Sequence, residues 1–196
     1  MSIQTYKNNC RYINIIRILS ACKNKDNIPF VIAIDGRAAA GKTTLAEMLS
    51  DILLADVIHM DDFFLPLGLR NEKRFQTPGG NVHYERFFDE VVCNLKTSTN
   101  FSYTKFDCSL MDYNGHIDIS VGKFIIVEGS YSHHPYFKKY ADLTVFLDVD
   151  KKEQGKRILE RNGEVLYKKF KEIWIPLEEE YFFEYNIKNS ADIYLI

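Results

Sequence analysis

Residues 36–43 of this chain read Gly36-Arg37-Ala38-Ala39-Ala40-Gly41-Lys42-Thr43, which fits the pattern G-x-x-x-x-G-K-[ST] of a phosphate-binding loop. An apolar run at residues 30–34 precedes the loop and predicts a strand that is buried on both faces of a parallel sheet. After the loop, apolar residues recur at positions 45, 48, 49, 52 and 53, which is the spacing of an amphipathic helix. Strand, glycine loop and helix therefore occur in the order that such a loop requires.

The residue types of the loop suit the binding of a nucleotide. Backbone N–H groups and the positive end of the helix dipole form a concavity that favours phosphate oxygens. Lys42 would lie between the terminal phosphates, and the Thr43 hydroxyl would take one position on Mg²⁺. We therefore predict that the chain binds MgATP or MgGTP. The predicted nucleotide contacts are Gly36, Arg37, Ala38, Ala39, Ala40, Gly41, Lys42, Thr43 and Thr44.

Length and composition indicate one globular domain. With 196 residues, 46% of them hydrophobic, the chain can bury one full core, and we predict a single domain over residues 1–196. The formal net charge of −2 gives no overall basic field, so nucleic acid is not expected as a partner. The four cysteines are dispersed and show no C-x-x-C spacing, which favours reduced thiols and a cytoplasmic location.

The beginning of the chain superficially resembles a lipoprotein signal. Asn14 and Arg17 interrupt its apolar run, however, and the spacing of the remaining apolar residues favours an amphipathic helix at about residues 10–23. No segment of the sequence is long and apolar enough to span a membrane, so no membrane contact is predicted.

Further apolar runs predict the remaining strands, at residues 57–60, 124–127, 143–147 and 193–196. Helical patterns lie between them, so we predict an α/β fold of the P-loop NTPase type, an open and mainly parallel sheet with helices on both faces. Residues 65–81 contain prolines and glycines without periodicity and predict a long loop. The pair Asn114-Gly115 predicts the turn of a small antiparallel hairpin.

Acidic residues follow two of the predicted strands. Asp61 and Asp62 come after the second strand, and Glu128 ends the strand at residues 124–127, which places all three at the same sheet edge. Transfer of a phosphoryl group to a hydroxyl needs one carboxylate to accept the hydroxyl proton and oxygen ligands for Mg²⁺. The alternative is that these acids are merely solvated strand ends.

Four segments together resemble the uridine kinase family of P-loop kinases and its nicotinamide riboside kinase relatives. The resemblance covers most of the chain from Phe30 to Ile196. The segments are Val57-Ile58-His59-Met60-Asp61-Asp62-Phe63-Phe64, Gly79-Gly80-Asn81-Val82-His83-Tyr84-Glu85-Arg86-Phe87, Val127-Glu128-Gly129-Ser130-Tyr131 and Phe146-Leu147-Asp148-Val149-Asp150.

This resemblance implies roles for single residues. The carboxylate after the second strand would be the catalytic base; the D-D-F-F alignment favours Asp61, whereas an ungapped match to other members would choose Asp62. Thr43, Asp61 and Glu128 would hold the metal, and Lys42 would assist catalysis. A helical lid would carry Arg157, as a catalytic residue, and Arg161, as a nucleotide contact. The alternative for both arginines is a solvated basic helix face.

The acceptor segment departs from the family pattern. An aspartate that binds ribose hydroxyls in many members is replaced near Val82-His83, and a neutral imidazole accepts only one hydrogen bond. This replacement points away from an ordinary ribonucleoside. The adjacent His133 and His134 are interpreted as polar surface. The candidate acceptor contacts are Asp62, Phe64, Asn81, His83, Arg86 and Asp107, each of which also has a purely structural interpretation.

The leading hypothesis is a kinase that transfers the γ-phosphate of MgATP to a hydroxyl of a small molecule. Uridine or cytidine is the first candidate acceptor, and nicotinamide riboside, pantothenate or another small alcohol are the alternatives. A nucleotide-binding protein without acceptor chemistry is the competing hypothesis, because the acceptor segment is altered. No Asn-Lys-x-Asp segment is present, which disfavours a GTPase. The sequence gives no indication of oligomeric state.

Overall fold

The structure, a computed structural model, describes residues 13–22 and 28–196. Five of the strands within these ranges form a parallel sheet, and the other two form a separate antiparallel hairpin. The strands are β1 Phe30–Gly36, β2 Asp56–His59, β3 Asn100–Asp107, β4 Asp112–Ser120, β5 Phe124–Glu128, β6 Leu143–Leu147 and β7 Ile193–Leu195. The sheet has the order β2-β5-β1-β6-β7, so β1, which leads into the glycine loop, is central.

Helices connect the strands. They are α1 at residues 13–21, α2 Lys42–Leu53, α3 Glu72–Phe75, α4 Tyr84–Phe87, α5 Cys93–Leu95, α6 Lys151–Lys169, α7 Ile175–Glu184 and α8 Ile187–Ser190. Two π-helical segments, Phe88–Val92 and Phe170–Trp174, join α4 to α5 and α6 to α7. The predicted basic helix therefore continues beyond Arg161, with a kink at Gly163, where φ is 74°.

Helices cover both faces of the sheet, as the sequence predicts. On one face, α1 and α2 pack against the strands through buried side chains such as Ile18 and Leu49. On the other face, α4, α7 and the hairpin contribute Phe87, Tyr181 and Tyr103 to a second core. Burying a large apolar side chain stabilises a fold by about 1.5–3 kcal/mol, so these two cores fix the sheet between its helices.

Helix α1 lies within the range that the sequence predicts for it; residues 10–12 and 23 are outside the described residues. Its amphipathic character is confirmed, because Ile15 and Ile18 are buried while Ile13 and Ile16 are exposed. Arg17 also donates a hydrogen bond to the Tyr194 carbonyl oxygen of β7, at 3.3 Å. In the described part of the chain, no helix combines the length and the apolar character that crossing a membrane requires.

The hairpin is present, but the predicted position of its turn is wrong. The turn lies at residues 108–111, and Asn114-Gly115 lies inside β4. The strand register shifts between Thr104 and Phe106, opposite this pair, and Gly115 has a φ of 82°. Asn-Gly is favoured wherever a left-handed backbone is needed, and here that backbone accommodates an extra residue in a β-bulge rather than a turn.

The interpretation of His133 and His134 as polar surface is also wrong. His134 is buried and stacks on the ring of Tyr84, with ring centroids 4.8 Å apart. Burial lowers the pKa of His134 to about 4, which keeps its ring neutral. His133 places Nε2 3.1 Å from the Ala33 carbonyl oxygen. Both histidines therefore help to attach the segment after β5 to the rest of the domain.

Candidate active site

The glycine loop leaves β1 at the carboxyl edge of the sheet. Gly36 and Gly41 have φ values of 140° and 103°, which side chains with a Cβ rarely adopt. A Cβ on Gly36 would lie 2.0 Å from the Leu147 carbonyl oxygen of β6, so this glycine also permits close contact between the two strands. A loop backbone that contains such left-handed residues can direct its N–H groups toward an anion.

Lys42 is held across the loop. Its Nζ donates hydrogen bonds to the carbonyl oxygens of Gly36 and Arg37, at 2.8 and 2.9 Å, and to Ser130 Oγ at 3.3 Å. The side chain is buried. The ammonium group is therefore fixed beside the loop backbone, where it can neutralise a bound phosphate.

Thr43 and Glu128 form a pair of oxygen ligands. Thr43 Oγ1 donates a hydrogen bond to Glu128 Oε1 at 3.2 Å, and His59 Nδ1 lies 2.6 Å from the same carboxylate oxygen. The hydrogen bond with Glu128 raises the pKa of His59. Neighbouring ligands of an octahedral Mg²⁺ lie about 2.9 Å apart, so a hydroxyl and a carboxylate at this separation fit the ion.

The described residues contain no group of three or more His, Cys, Asp or Glu side chains that could hold a metal ion. A protein usually contributes only one or two groups to a nucleotide-bound Mg²⁺, because phosphates and waters complete its coordination. The pair formed by Thr43 and Glu128 therefore suits Mg²⁺ better than a metal held by protein ligands alone.

The two aspartates after β2 differ in their surroundings. Both belong to the 3₁₀ turn Met60–Phe63. Asp62 is only 7% exposed, and its Oδ2 accepts a hydrogen bond from the Tyr103 hydroxyl at 2.8 Å. Asp61 is exposed and makes no hydrogen bond or ion pair with the described residues. Of the two, only Asp61 is free to interact with a ligand.

The electrostatic surroundings of Asp61 raise the pKa of its carboxyl group. Protein atoms around the carboxyl limit its hydration and raise its pKa, while the positive charge of Lys42 acts in the opposite direction. The negative charge of Glu128 raises the pKa further. A carboxylate with a raised pKa is a better proton acceptor than a fully solvated one.

Besides Asp62, two more of the predicted acceptor residues are occupied by the protein itself. Arg86 is buried and donates hydrogen bonds to the carbonyl oxygens of Asp62 and Thr104. Asp107 accepts hydrogen bonds from the Ser109 backbone N–H at 2.8 Å and from the Ser109 hydroxyl, which lower its pKa to about 2. Both side chains stabilise the local chain.

The other predicted acceptor residues lie in segments that are joined to each other. Phe64 forms a β-bridge with Val82. His83 places Nδ1 3.3 Å from the Tyr113 hydroxyl, and partial burial lowers the pKa of its imidazole. Asn81 has a buried Oδ1 atom without a hydrogen-bond partner. The Oδ1 atom of Asn81 is therefore enclosed by the protein, whereas His83 presents a neutral ring.

Helix α7 supports the loop with two carboxylates. Glu178 accepts hydrogen bonds from the Ala38 backbone N–H at 3.0 Å and from Ser130 Oγ at 2.6 Å. The neighbouring Glu179 forms an ion pair with Arg37. The pKa of Glu178 is raised by its burial, while the positive charge of Lys42 acts in the opposite direction. The conformation of the loop therefore depends on α7 as well as on β1.

Helix α6 holds the outer carbonyl groups of the loop. Gln154 Nε2 donates to the Ala38 carbonyl oxygen and the Arg157 guanidinium donates to that of Ala39, both at 3.1 Å. Arg161 is exposed, and its Nε donates to Asn162 Oδ1 at 2.9 Å. The structure thus places Arg157 at the loop, whereas Arg161 makes no hydrogen bond to the described loop residues.

Comparison with known proteins identifies the fold. No protein-family model matches the chain. A solved structure described as a possible uridine kinase, from Bacillus stearothermophilus, superimposes with a TM-score of 0.74, covering 97% of this chain and 100% of that one at 20% identity. D-glycerate 3-kinase from Cryptococcus neoformans gives a TM-score of 0.54 at 12% identity, over 94% and 88% of the two chains.

The chain has the P-loop kinase fold. The predicted resemblance to uridine kinase-like proteins is confirmed at this level. Among curated proteins, a pantothenate kinase from Streptococcus mutans is 24% identical over 167 residues, which cover 76% of this chain and 54% of the kinase. The chain thus spans about half the length of the curated relative that it matches.

Within this P-loop kinase fold, several residues that organise the site were not predicted. Asp35 is fully buried before the loop and accepts hydrogen bonds from the Tyr181 hydroxyl at 2.8 Å and the His133 backbone N–H at 3.0 Å. Asp148, directly after β6, pairs with Arg37. Both acids lie at the end of a strand, as Asp61 does, so the same sequence signal marks them. Glu178 and Glu179 have no comparable sequence signal.

Proposed function

We propose that the protein is an ATP-dependent phosphotransferase that phosphorylates a hydroxyl group of a small molecule. One observation carries this proposal: the carboxylate of Asp61, which has no hydrogen-bond or ion-pair partner among the described residues, lies at the same sheet edge as the loop lysine and the pair Thr43–Glu128. A nucleotide-binding protein would need the loop alone. The free carboxylate is the additional group that phosphoryl transfer to an alcohol requires.

In the proposed reaction, Asp61 accepts the proton of the acceptor hydroxyl. The hydroxyl oxygen forms a bond to the γ-phosphorus, the bond from this phosphorus to the β–γ bridging oxygen breaks, and ADP leaves. The loop backbone and Lys42 hold the phosphates, and Arg157 adds positive charge at the outer side of the loop. Mg²⁺ held by Thr43 and Glu128 would neutralise phosphate charge when bound.

The acceptor is proposed only as an alcohol of a small molecule. The sequence resemblance favours a nucleoside, uridine first, and the curated relative is a pantothenate kinase. Nicotinamide riboside is a further candidate from the resemblance. We propose the cytoplasm as its location, because ATP is available there.

The experiment is a measurement of ADP release from MgATP with a panel of alcohols, for the wild type and for Asp61→Asn. We expect turnover that depends on an acceptor and falls at least about 100-fold in the variant, while ATP still raises the melting temperature. Asp62→Asn is the matched control: it disturbs the contact with Tyr103 and should lower stability more than it lowers turnover.

Two results would contradict the proposal. Full turnover in Asp61→Asn would remove Asp61 as the base. ATP binding without acceptor-dependent ADP release for any alcohol in the panel would instead support the nucleotide-binding protein without acceptor chemistry.

A further inference from the structure

The acidic groups near the proposed acceptor site are almost all occupied. Asp62 is bound by Tyr103, and Asp107 by its own hairpin turn. Glu85 forms an ion pair with Arg74 at 2.6 Å. Glu90 accepts hydrogen bonds from Arg86 and from the Thr104 backbone N–H. Among the acids predicted at the acceptor, Asp61 alone has no hydrogen bond or ion pair with the described residues.

This shortage of free carboxylates is unfavourable for the binding of a sugar with two neighbouring hydroxyl groups. Binding two neighbouring hydroxyl groups requires a carboxylate or an equivalent pair of acceptors. Asp61 is needed for the proton of the reacting hydroxyl, and His83 offers only a neutral ring with one acceptor nitrogen. The described residues therefore provide no second free carboxylate among the predicted contacts.

The arginines of the same region differ in how many of their nitrogens the protein occupies. Arg74 donates to Gly80 and Val82 carbonyl oxygens as well as to Glu85. Arg86 uses both terminal nitrogens within the protein. Arg70 donates only through Nε, to the Leu65 carbonyl oxygen at 2.8 Å, and its two terminal nitrogens have no partner among the described residues.

Arg70 lies near the turn that carries Asp61. Its side chain folds back onto Leu65, which follows the Met60–Phe63 turn, and Arg70 itself is half-buried. The pKa of the Cys108 thiol is raised by the surrounding protein atoms and by the negative charge of Asp61, and lowered by the positive charge of Arg70. Both charges therefore act on the same end of the hairpin.

We propose that the phosphate acceptor is a hydroxy acid, a small alcohol that also carries a carboxylate, with its hydroxyl at Asp61 and its carboxylate bound by the terminal nitrogens of Arg70. This inference rests on the proposed function. A guanidinium fork matches the geometry of a carboxylate and binds it with charge-assisted hydrogen bonds.

The test compares acids with neutral analogues of the same shape: D-glycerate with glycerol, and pantothenate with pantothenol, with uridine as the nucleoside. For the wild type we expect kcat/KM to be at least about tenfold higher for an acid than for its neutral analogue. Arg70→Gln should raise KM for the acid at least about tenfold and leave KM for the neutral analogue unchanged, with partial recovery in Arg70→Lys.

Lys73→Gln is the matched control, because it removes the same charge from an exposed position of the same segment. It should change neither KM. Equal losses for acids and neutral analogues in Arg70→Gln, or preferred turnover of uridine, would overturn the hydroxy acid while the kinase stands.

Binding of the two acids is measured separately, from the melting temperature in the presence of a non-hydrolysable ATP analogue. Arg70-dependent binding without ADP release would overturn the kinase and support the ligand class. Absence of binding and of turnover for both acids would overturn the hydroxy acid.

Discussion

The buried carboxyl of Glu178 on helix α7 can carry a charge and also accepts hydrogen bonds, and a substitution can remove the charge while it keeps the hydrogen bonds. It is 7% exposed and accepts from the Ala38 N–H and from the Ser130 hydroxyl. Because burial raises its pKa, the site favours the neutral carboxyl over the carboxylate. Gln is a neutral group of the same shape, so Glu178→Gln should keep the hydrogen bonds and remove an unfavourable charge.

The expected magnitudes follow from these contacts. In Glu178→Gln the amide oxygen can accept from Ala38 N–H and the amide N–H₂ can donate to Ser130, whose hydroxyl lies 3.2 Å from the Gly36 carbonyl oxygen. Stability at pH 7.5 should equal or exceed that of the wild type. Glu178→Ala leaves the Ala38 N–H without a partner and should cost about 3 kcal/mol, or roughly 6–12 °C in melting temperature.

The raised pKa of Glu178 also determines whether the stability of the protein rises or falls with pH. A carboxyl whose folded pKa lies above its unfolded value contributes stability that is complete below the unfolded pKa and is lost as the pH rises through the folded pKa. The advantage of Glu178→Gln over the wild type should therefore grow as the pH rises above the ordinary pKa of a glutamate.

The assay is thermal and urea unfolding of the wild type and both variants at several pH values, with ATP binding measured alongside. The Gln variant should also bind ATP at least as tightly, because a negative charge near the loop has been removed. If Glu178→Gln is as unstable as Glu178→Ala, the ionised carboxylate stabilises the loop and the reasoning is wrong.

Two further predictions concern the same edge of the sheet. Burial acts to raise the pKa of Asp148, but hydrogen bonds, above all the one from Lys188, lower this pKa to about 2. Asp148→Asn should therefore lower the free energy of unfolding, measured with urea near pH 6, by about 1–2 kcal/mol. This difference from the wild type should disappear as the pH falls through 2. Gly36→Ala would place a Cβ 2.0 Å from the Leu147 carbonyl oxygen and should cost more than about 3 kcal/mol, whereas Gly41→Ala, which meets no atom within 4 Å, should cost about 1–2 kcal/mol from backbone strain alone. Similar melting temperatures for the two alanine variants would contradict the close packing of β1 on β6.

The sheet could be predicted from the sequence because burial on both faces leaves unbroken apolar runs, and β6 has the predicted bounds Leu143–Leu147. The turn of the hairpin could not be predicted in the same way. Asn114-Gly115 signals a left-handed backbone, but a turn and a bulge both need one, and the pairing of β3 with β4 decides between them.

The candidate site shows a similar division between local and distant information. The loop is a local motif that can be recognised from eight consecutive residues, and its contacts with a nucleotide stay a prediction. The choice between Asp61 and Asp62, by contrast, depends on the hydroxyl of Tyr103, which is 41 residues away along the chain. The support from Glu178 reaches the loop across 140 residues. Contacts of this kind are determined by tertiary packing, and a local pattern of residue types does not predict them.

The two lid arginines illustrate how such contacts change a prediction. Arg157 binds the Ala39 carbonyl oxygen, so its charge lies at the loop before any nucleotide enters. Arg161 is four residues further along the same helix, hence on the same face and about 6 Å further along the helix axis. Gly163, whose left-handed backbone kinks the helix two residues later, has open space around it. We therefore expect Arg161 to reach a phosphate only through movement of the lid, whereas Arg157 acts from a fixed position.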